Sequence, residues 1–184
     1  MIFSDAILLI TFFLAGFTLK LADFSGEQFS NYISILFGVV SGFLLGLLTT
    51  DSAFSSAIVL GVIIGVGASG KINKPNLVIG LIVIAVTALI FGFYMPSFWL
   101  LLIIALFAFF DEVEHDRFVG KGGFLAKFFA IRGSLKLLVI FLAAIGSLPI
   151  LYAGGFLVFD LTYDLTTFLI MKLRIMPRLA KIDG

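Results

Sequence analysis

The chain has 184 residues, 61% of them apolar and only 12% charged, with a mean hydropathy of +1.24. That composition excludes a soluble domain and fits an integral membrane protein whose helices are apolar on every side. A net charge of +1 gives no case for nucleic acid as a partner, and the absence of cysteine excludes disulfides and thiolate metal sites.

The start, Met1-Ile2-Phe3-Ser4-Asp5, lacks a basic n-region, and no small-residue cleavage site follows. The first apolar segment is therefore expected to persist as a helix. A helix needs about 20 apolar residues to cross the hydrocarbon layer. Seven segments meet or approach this: 2–20, 31–50, 53–69, 76–95, 97–110, 134–151 and 155–172. The expected fold class is all-α, a polytopic transmembrane bundle forming a single domain over 1–184, with an acidic and amphipathic loop at 111–133. The fifth segment is short and has to borrow length from the acidic stretch after it or from a thinned bilayer. The sixth and seventh form one long apolar run broken only by Pro149 and by Gly154-Gly155. A hairpin is expected there, with a re-entrant pair as the alternative.

Seven crossings place all twelve basic residues on one side of the membrane, and none on the other. Lysine and arginine in short loops stay cytoplasmic, so the N-terminus is expected outside and the C-terminus inside, in the cell membrane. The outer turns are then Thr50-Asp51-Ser52, Tyr94-Met95-Pro96-Ser97 and Ala153-Gly154-Gly155. Asp5 and Asp51 fall near that surface and read as solvated.

Asp23 and Glu27 lie four apart at the cytoplasmic end of the first segment, as an acidic loop or as part of a cation site. In segments two and three, Gly38, Gly42 and Gly46 form one stripe and Ala57, Gly61 and Gly65 another. Small residues at this spacing let backbones pack closely in lipid. They predict a tight hairpin of these two helices joined at Asp51, or else a small-residue path for a substrate.

Segment five runs into Asp111-Glu112-Val113-Glu114-His115-Asp116-Arg117, which holds four of the eleven acids and the lone histidine. On a continuing helix Asp111 faces His115, and Glu112 faces Asp116. Carboxylates beside an imidazole suit a divalent metal, proton transfer or a cationic partner, and equally suit a solvated helix end. The loop over 118–133 alternates Phe124, Leu125, Phe128, Phe129 and Ile131 with Lys121, Lys127 and Arg132. This predicts an amphipathic helix in the headgroup layer, serving as an anchor or as a basic gate for a lipid phosphate. Asp160 and Asp164 form an intramembrane acidic pair on one helix face, with no lysine or arginine expected at matching depth. Such a pair calls for a metal, an ion path or a shared proton, or for a protonated Asp bonded to a neighbouring Thr or Tyr.

Two of these stretches resemble known motifs. The run from Asp111 to Lys121 resembles the second acidic motif of the UbiA-type intramembrane prenyltransferases, an Asp-Val-Glu-x-Asp-Arg-x-x-Gly-like run after a helix. Lys71-Ile72-Asn73-Lys74-Pro75-Asn76 resembles the Ile-Asn-x-Pro that ends the first motif. In that family the acidic motifs hold Mg²⁺, which holds the diphosphate of a polyprenyl donor. The resemblance implies Mg²⁺ at Asp111, Glu112 and Asp116. The family's acids before Ile72-Asn73 are replaced here by small residues, so Asp23 and Glu27 are the acids available to complete the set.

The function expected from the sequence is a membrane-embedded, Mg²⁺-dependent enzyme acting on an isoprenoid or phospholipid phosphate or diphosphate, with prenyl transfer as one form of it. Asp111, Glu112 and Asp116 would be catalytic, and Asn73, Lys74, Arg117 and Lys121 would hold the substrate. A cation or proton transporter using Asp160 and Asp164 is the alternative, and a non-catalytic subunit of a membrane complex is a third reading. Membrane lipids are the expected partners, and oligomerisation is left open.

Overall fold

The computed structural model describes residues 3–28, 31–118, 123–124, 128–129 and 131–179. Seven α-helices run through these residues, with no strand among them: α1 (Asp5–Gln28), α2 (Asn31–Thr49), α3 (Ala53–Ala68), α4 (Pro75–Phe91), α5 (Phe98–Phe118), α6 (Gly133–Ala144) and α7 (Ile150–Leu179). Their termini follow local chemistry. Ser52 has extended backbone and its hydroxyl accepts the Ser55 N–H, which caps α3. Gly70, at φ 77°, closes the other end of α3, and Pro75 opens α4 where its missing N–H costs nothing.

Among the described residues three stretches are long and apolar enough to cross a membrane: Asp5–Glu27, Asn31–Thr49 and Ile150–Ile170. The outward faces agree, since Ile10, Phe17, Leu36 and Phe43 are all exposed. Apolar surface on this scale needs lipid or protein against it. Helices α3, α4 and α6 are shorter, at 16, 17 and 12 residues. At 1.5 Å per residue α6 covers only roughly 18 Å.

The glycine stripes are close-packing surfaces, but not against each other. A Cβ on Gly42 would lie 2.4 Å from the Gly80 carbonyl oxygen, and one on Gly38 2.6 Å from that of Asn76. Stripe two thus seats α2 on α4. A Cβ on Gly65 would lie 2.4 Å from the Ala105 oxygen, and Gly61 meets Ile104, so the third-segment stripe seats α3 on α5. The expected α2–α3 hairpin is therefore corrected: these helices are consecutive, yet each uses its small-residue face on the next helix but one. Helix α1 packs between α2 and α7 and closes the bundle.

The last turn between helices is also displaced from its expected place. It lies at 145–149, where Gly146 takes φ 74° and the Tyr152 and Ala153 amides bond to the Pro149 carbonyl. Gly154 and Gly155 are inside α7. Gly155 is there for contact, because a Cβ would stand 2.4 Å from the Phe12 ring. Asp51 is likewise corrected. It is fully buried, accepts the Phe3 N–H at 2.9 Å and the Tyr152 hydroxyl at 3.1 Å, and ties the start of the chain to α7.

Candidate functional site: a polar chamber joined to an apolar cleft

At the helix ends opposite Asp51 lies a cavity of about 460 Å³. Its walls change along the helices. Mid-helix residues Val62, Phe156 and Phe159 are apolar, whereas the helix ends bring in polar groups. Six carboxylates line it (Asp23, Glu27, Asp111, Glu112, Asp116 and Asp160), together with Lys20, Lys71, Lys74, Arg132, Asn73 and His115. The structure thus brings Asp23, Glu27, Asp111, Glu112, Asp116, Asn73 and Lys74 around one space. It leaves Arg117 outside, exposed and bonded to Glu114 at 2.8 Å. Lys121 lies outside the described residues, as does much of the expected amphipathic helix over 118–133.

Each expected metal-binding acid is occupied by a protein partner. Asp111, 1% exposed, accepts the backbone N–H groups of Ser134 at 3.1 Å and Leu135 at 2.8 Å. It caps the first turn of α6, whose own preceding residue, Arg132, offers no side-chain cap. A carboxylate at a helix N-terminus satisfies orphan donors and meets the positive end of the helix dipole. Glu112 is buried and bonds Arg132 Nε at 2.8 Å. Asp116, exposed, takes Lys71 Nζ on both oxygens, at 2.5 and 2.6 Å. That hydrogen bond holds the Asp116 carboxyl below the usual carboxylate range. Glu27 pairs with Lys74 at 2.6 Å, and Asp23 accepts the Tyr163 hydroxyl at 2.5 Å. Among the described residues no three His, Asp or Glu side chains converge as a metal site. As they stand, these carboxylates are each held by a group of the protein itself.

Arg132 is the least relaxed residue of the site. It is the one described non-glycine residue with positive φ, at φ 51° and ψ 50°. Left-handed backbone is costly for such a side chain and persists only where its surroundings hold it. Here Glu112 holds the guanidinium, which also lies 5.3 Å from the centre of the Tyr163 ring. Lys20 Nζ lies 4.7 Å from the same ring centre. Among the described residues Lys20 forms no ion pair, unlike Lys71, Lys74 and Arg132.

The acidic pair of α7 does have a basic partner, contrary to expectation. Lys136 Nζ lies 2.5 Å from Asp160 Oδ2 and 3.1 Å from Asp164 Oδ2, and it also bonds the Ile131 carbonyl. Lys136 sits one turn into α6. Because α6 is short and starts beside Asp111, that turn lies level with Asp160 and Asp164.

A second cavity of about 140 Å³ adjoins the chamber along α2, α3 and α4. The two share Leu19, Val62, Val66, Leu77 and Phe159 as walls. Apart from Asn76 and Ser41, the side chains lining this cleft are apolar. Sequence reasoning did not single out Lys20, Lys71, Arg132, Tyr163 or Lys136 as partners of the acids. The available signal was charge balance: each acid at these helix ends needed a cation, and Lys20, Lys71, Lys74, Arg132 and Lys136 stand close to the helix ends in the sequence.

No known protein family matches the chain, and no characterised protein or solved structure matches it.

Proposed function

We propose that the protein is an intramembrane enzyme acting on the phosphate-bearing head of a membrane lipid, with the head in the chamber and the chain in the apolar cleft. The observation that carries this reading is the shared wall: a polar, charge-lined cavity and an apolar one meet at Leu19, Val62, Val66, Leu77 and Phe159. A ligand filling both must be amphiphilic. Among the described residues lining the chamber, Lys20 is the lysine with no direct ion pair, although the charges of Asp23 and Glu27 act on it, so it is the first contact for a phosphate oxygen. Lys71 and Lys74 flank Asn73 and can exchange Asp116 and Glu27 for phosphate, since exposed ion pairs are weak. Such cations stabilise charge that develops on a leaving phosphate. The seven-crossing arrangement, with the N-terminus outside and the chamber opening to the cytoplasm, belongs to the same proposal and rests on the one-sided distribution of the twelve basic residues.

The test is native mass spectrometry of the detergent-purified protein with phosphatidic acid and with a polyprenyl phosphate, in Mg²⁺ and in chelator, beside Lys20→Gln and Lys20→Arg. Retained lipid that Lys20→Gln loses and Lys20→Arg keeps is the expected result. Failure to retain any phosphate-bearing lipid sinks the proposal. Retention only with Mg²⁺ would bring the metal back.

One observation favours a second reading, a proton or cation path. Lys136 between Asp160 and Asp164 places three ionisable groups together, with Asp160 at the chamber wall, and such groups within a bilayer are costly and commonly carry protons. Proteoliposomes holding a pH gradient would then leak protons, and Lys136→Met would stop the leak. No leak above empty liposomes would remove this reading.

A further inference from the structure

The apolar cleft contains one polar group in an unfavourable state. Asn76 is 3% exposed, walls the cleft, and its Nδ2 has no hydrogen-bond partner. A buried amide nitrogen without an acceptor is expensive. Water is a poor remedy, because a buried water needs two to four polar partners. Ser41 is the only other polar side chain lining the cleft, and its hydroxyl points its proton at the Ala15 carbonyl at 3.4 Å. The backbone cannot shift away easily, since Asn76 is pressed against Gly38 at the α2–α4 contact.

The position of Asn76 fixes where along a ligand the acceptor must lie. Asn73 and Lys74 line the chamber, and Asn76 and Ile72 line the cleft. Asn76 follows Lys74 closely, in the first turn of α4, so the acceptor must lie just past the charged head. We propose that the occupant is a glycerolipid whose ester oxygen, at the junction of head and chain, accepts the Asn76 amide. A polyprenyl phosphate carries no oxygen past its phosphate ester and would leave that amide unsatisfied. This inference rests on the head-in-chamber reading and selects the substrate class within it.

The experiment compares two single-chain ligands with the same chain, oleoyl lysophosphatidic acid and oleyl phosphate, on wild type and on Asn76→Leu. Leucine has a similar volume and no donor. Affinities are read in detergent by native mass spectrometry or by displacement of a fluorescent lipid. Wild type is expected to favour the ester by roughly tenfold, the scale of one buried hydrogen bond that would otherwise go unmade. Asn76→Leu should bind oleyl phosphate as well as wild type or better, and lose most of the preference. The four-way cycle removes the contribution of the extra glycerol hydroxyl, which is common to both proteins. Equal wild-type affinities would overturn the inference while leaving the phosphate-head reading standing. A preference that survives in Asn76→Leu would overturn it too. Failure of wild type to bind either ligand would remove the underlying reading along with it. Should Asn76→Leu not fold, the alkyl-ether analogue of lysophosphatidic acid, which keeps the glycerol hydroxyl and lacks the ester carbonyl, takes its place: it should bind wild type about as oleyl phosphate does, and binding as tight as the ester would overturn the inference.

Discussion

Replacing Asp111 with asparagine separates a structural carboxylate from a metal-binding one. In the structure both carboxylate oxygens are used, one on the Ser134 N–H and one on the Leu135 N–H. Asparagine has a single acceptor oxygen, and its NH₂ would be turned toward an amide that needs an acceptor. The loss comprises one hydrogen bond to a charged group, one buried amide left without a partner, and the favourable field at the start of α6. Capping substitutions cost about 1 kcal/mol, and hydrogen bonds to charged groups are worth roughly 1.5–3 kcal/mol. Asp111 is almost fully buried, so solvent offers little compensation, and about 2 kcal/mol is expected. The assay is hydrogen exchange of the α6 amides in detergent. Protection at Ser134 and Leu135 should fall roughly 30-fold, from about 1.4 kcal/mol per factor of ten. Asp116→Asn, which touches no backbone amide, should leave α6 protection unchanged. If Asp111→Asn kept that protection but abolished Mg²⁺-dependent lipid retention, the capping account would be wrong and Asp111 would return to the metal-binding set.

Three further outcomes are expected. Gly42→Ala pushes a methyl to 2.4 Å from the rigid Gly80 carbonyl, and should cost about 1–3 kcal/mol and shorten the thermal half-life in detergent; Gly154→Ala, with nothing within 4 Å, should be neutral or slightly stabilising. Lys136→Met leaves Asp160 and Asp164 facing each other unpaired and should destabilise by roughly 3 kcal/mol; adding Asp160→Asn should restore part of it, and a double variant no more stable than the single would refute the pairing. Because the Lys71 hydrogen bond depresses the Asp116 carboxyl, this link is fully present above the ordinary aspartate value near ~3.9 and is lost only as pH falls through the lower folded value. Carboxyl NMR of labelled Asp116 should therefore titrate below ordinary aspartate, and return to normal in Lys71→Gln.

Helix content was legible because apolar runs bounded by Gly, Pro and Ser leave few alternatives. Six of the seven helices begin within about three residues of the expected segments, as composition and caps require. The seventh does not, and the reason is physical. Gly146-Ser147-Leu148-Pro149 and Ala153-Gly154-Gly155 both look like turns in one dimension. Glycine serves a positive φ at Gly146 and a close ring contact at Gly155, and only the position of Phe12 on α1 distinguishes the two uses. Similarly, a stripe such as Gly38, Gly42 and Gly46 announces a close-packed face but carries no address. That it meets Gly80 on α4 depends on how the bundle closes.

The candidate site shows the same division between local and long-range information. The sequence places Asp111, Glu112 and Asp116 on adjacent helix faces, and the structure brings these acids with Asp23 and Glu27 to one cavity. What spacing cannot convey is that a residue 23 positions away turns its amide toward Asp111, or that Lys136 reaches Asp160 from a helix that begins late. Counting acids alone suggests a metal site. Counting acids against cations gives a different balance, because each lysine or arginine taken by a carboxylate weakens the case for a metal and strengthens the case for a ligand that competes for those cations. A phosphate head group is such a competitor. Binding it to Lys71 and Lys74 would free Asp116 and Glu27, so carboxylates that build no metal site in the unliganded arrangement would gain free oxygens only with the lipid present. The dependence of lipid retention on Mg²⁺, and of Mg²⁺ binding on lipid, should accordingly be equal in free energy if both share the site, and absent in both directions if they do not.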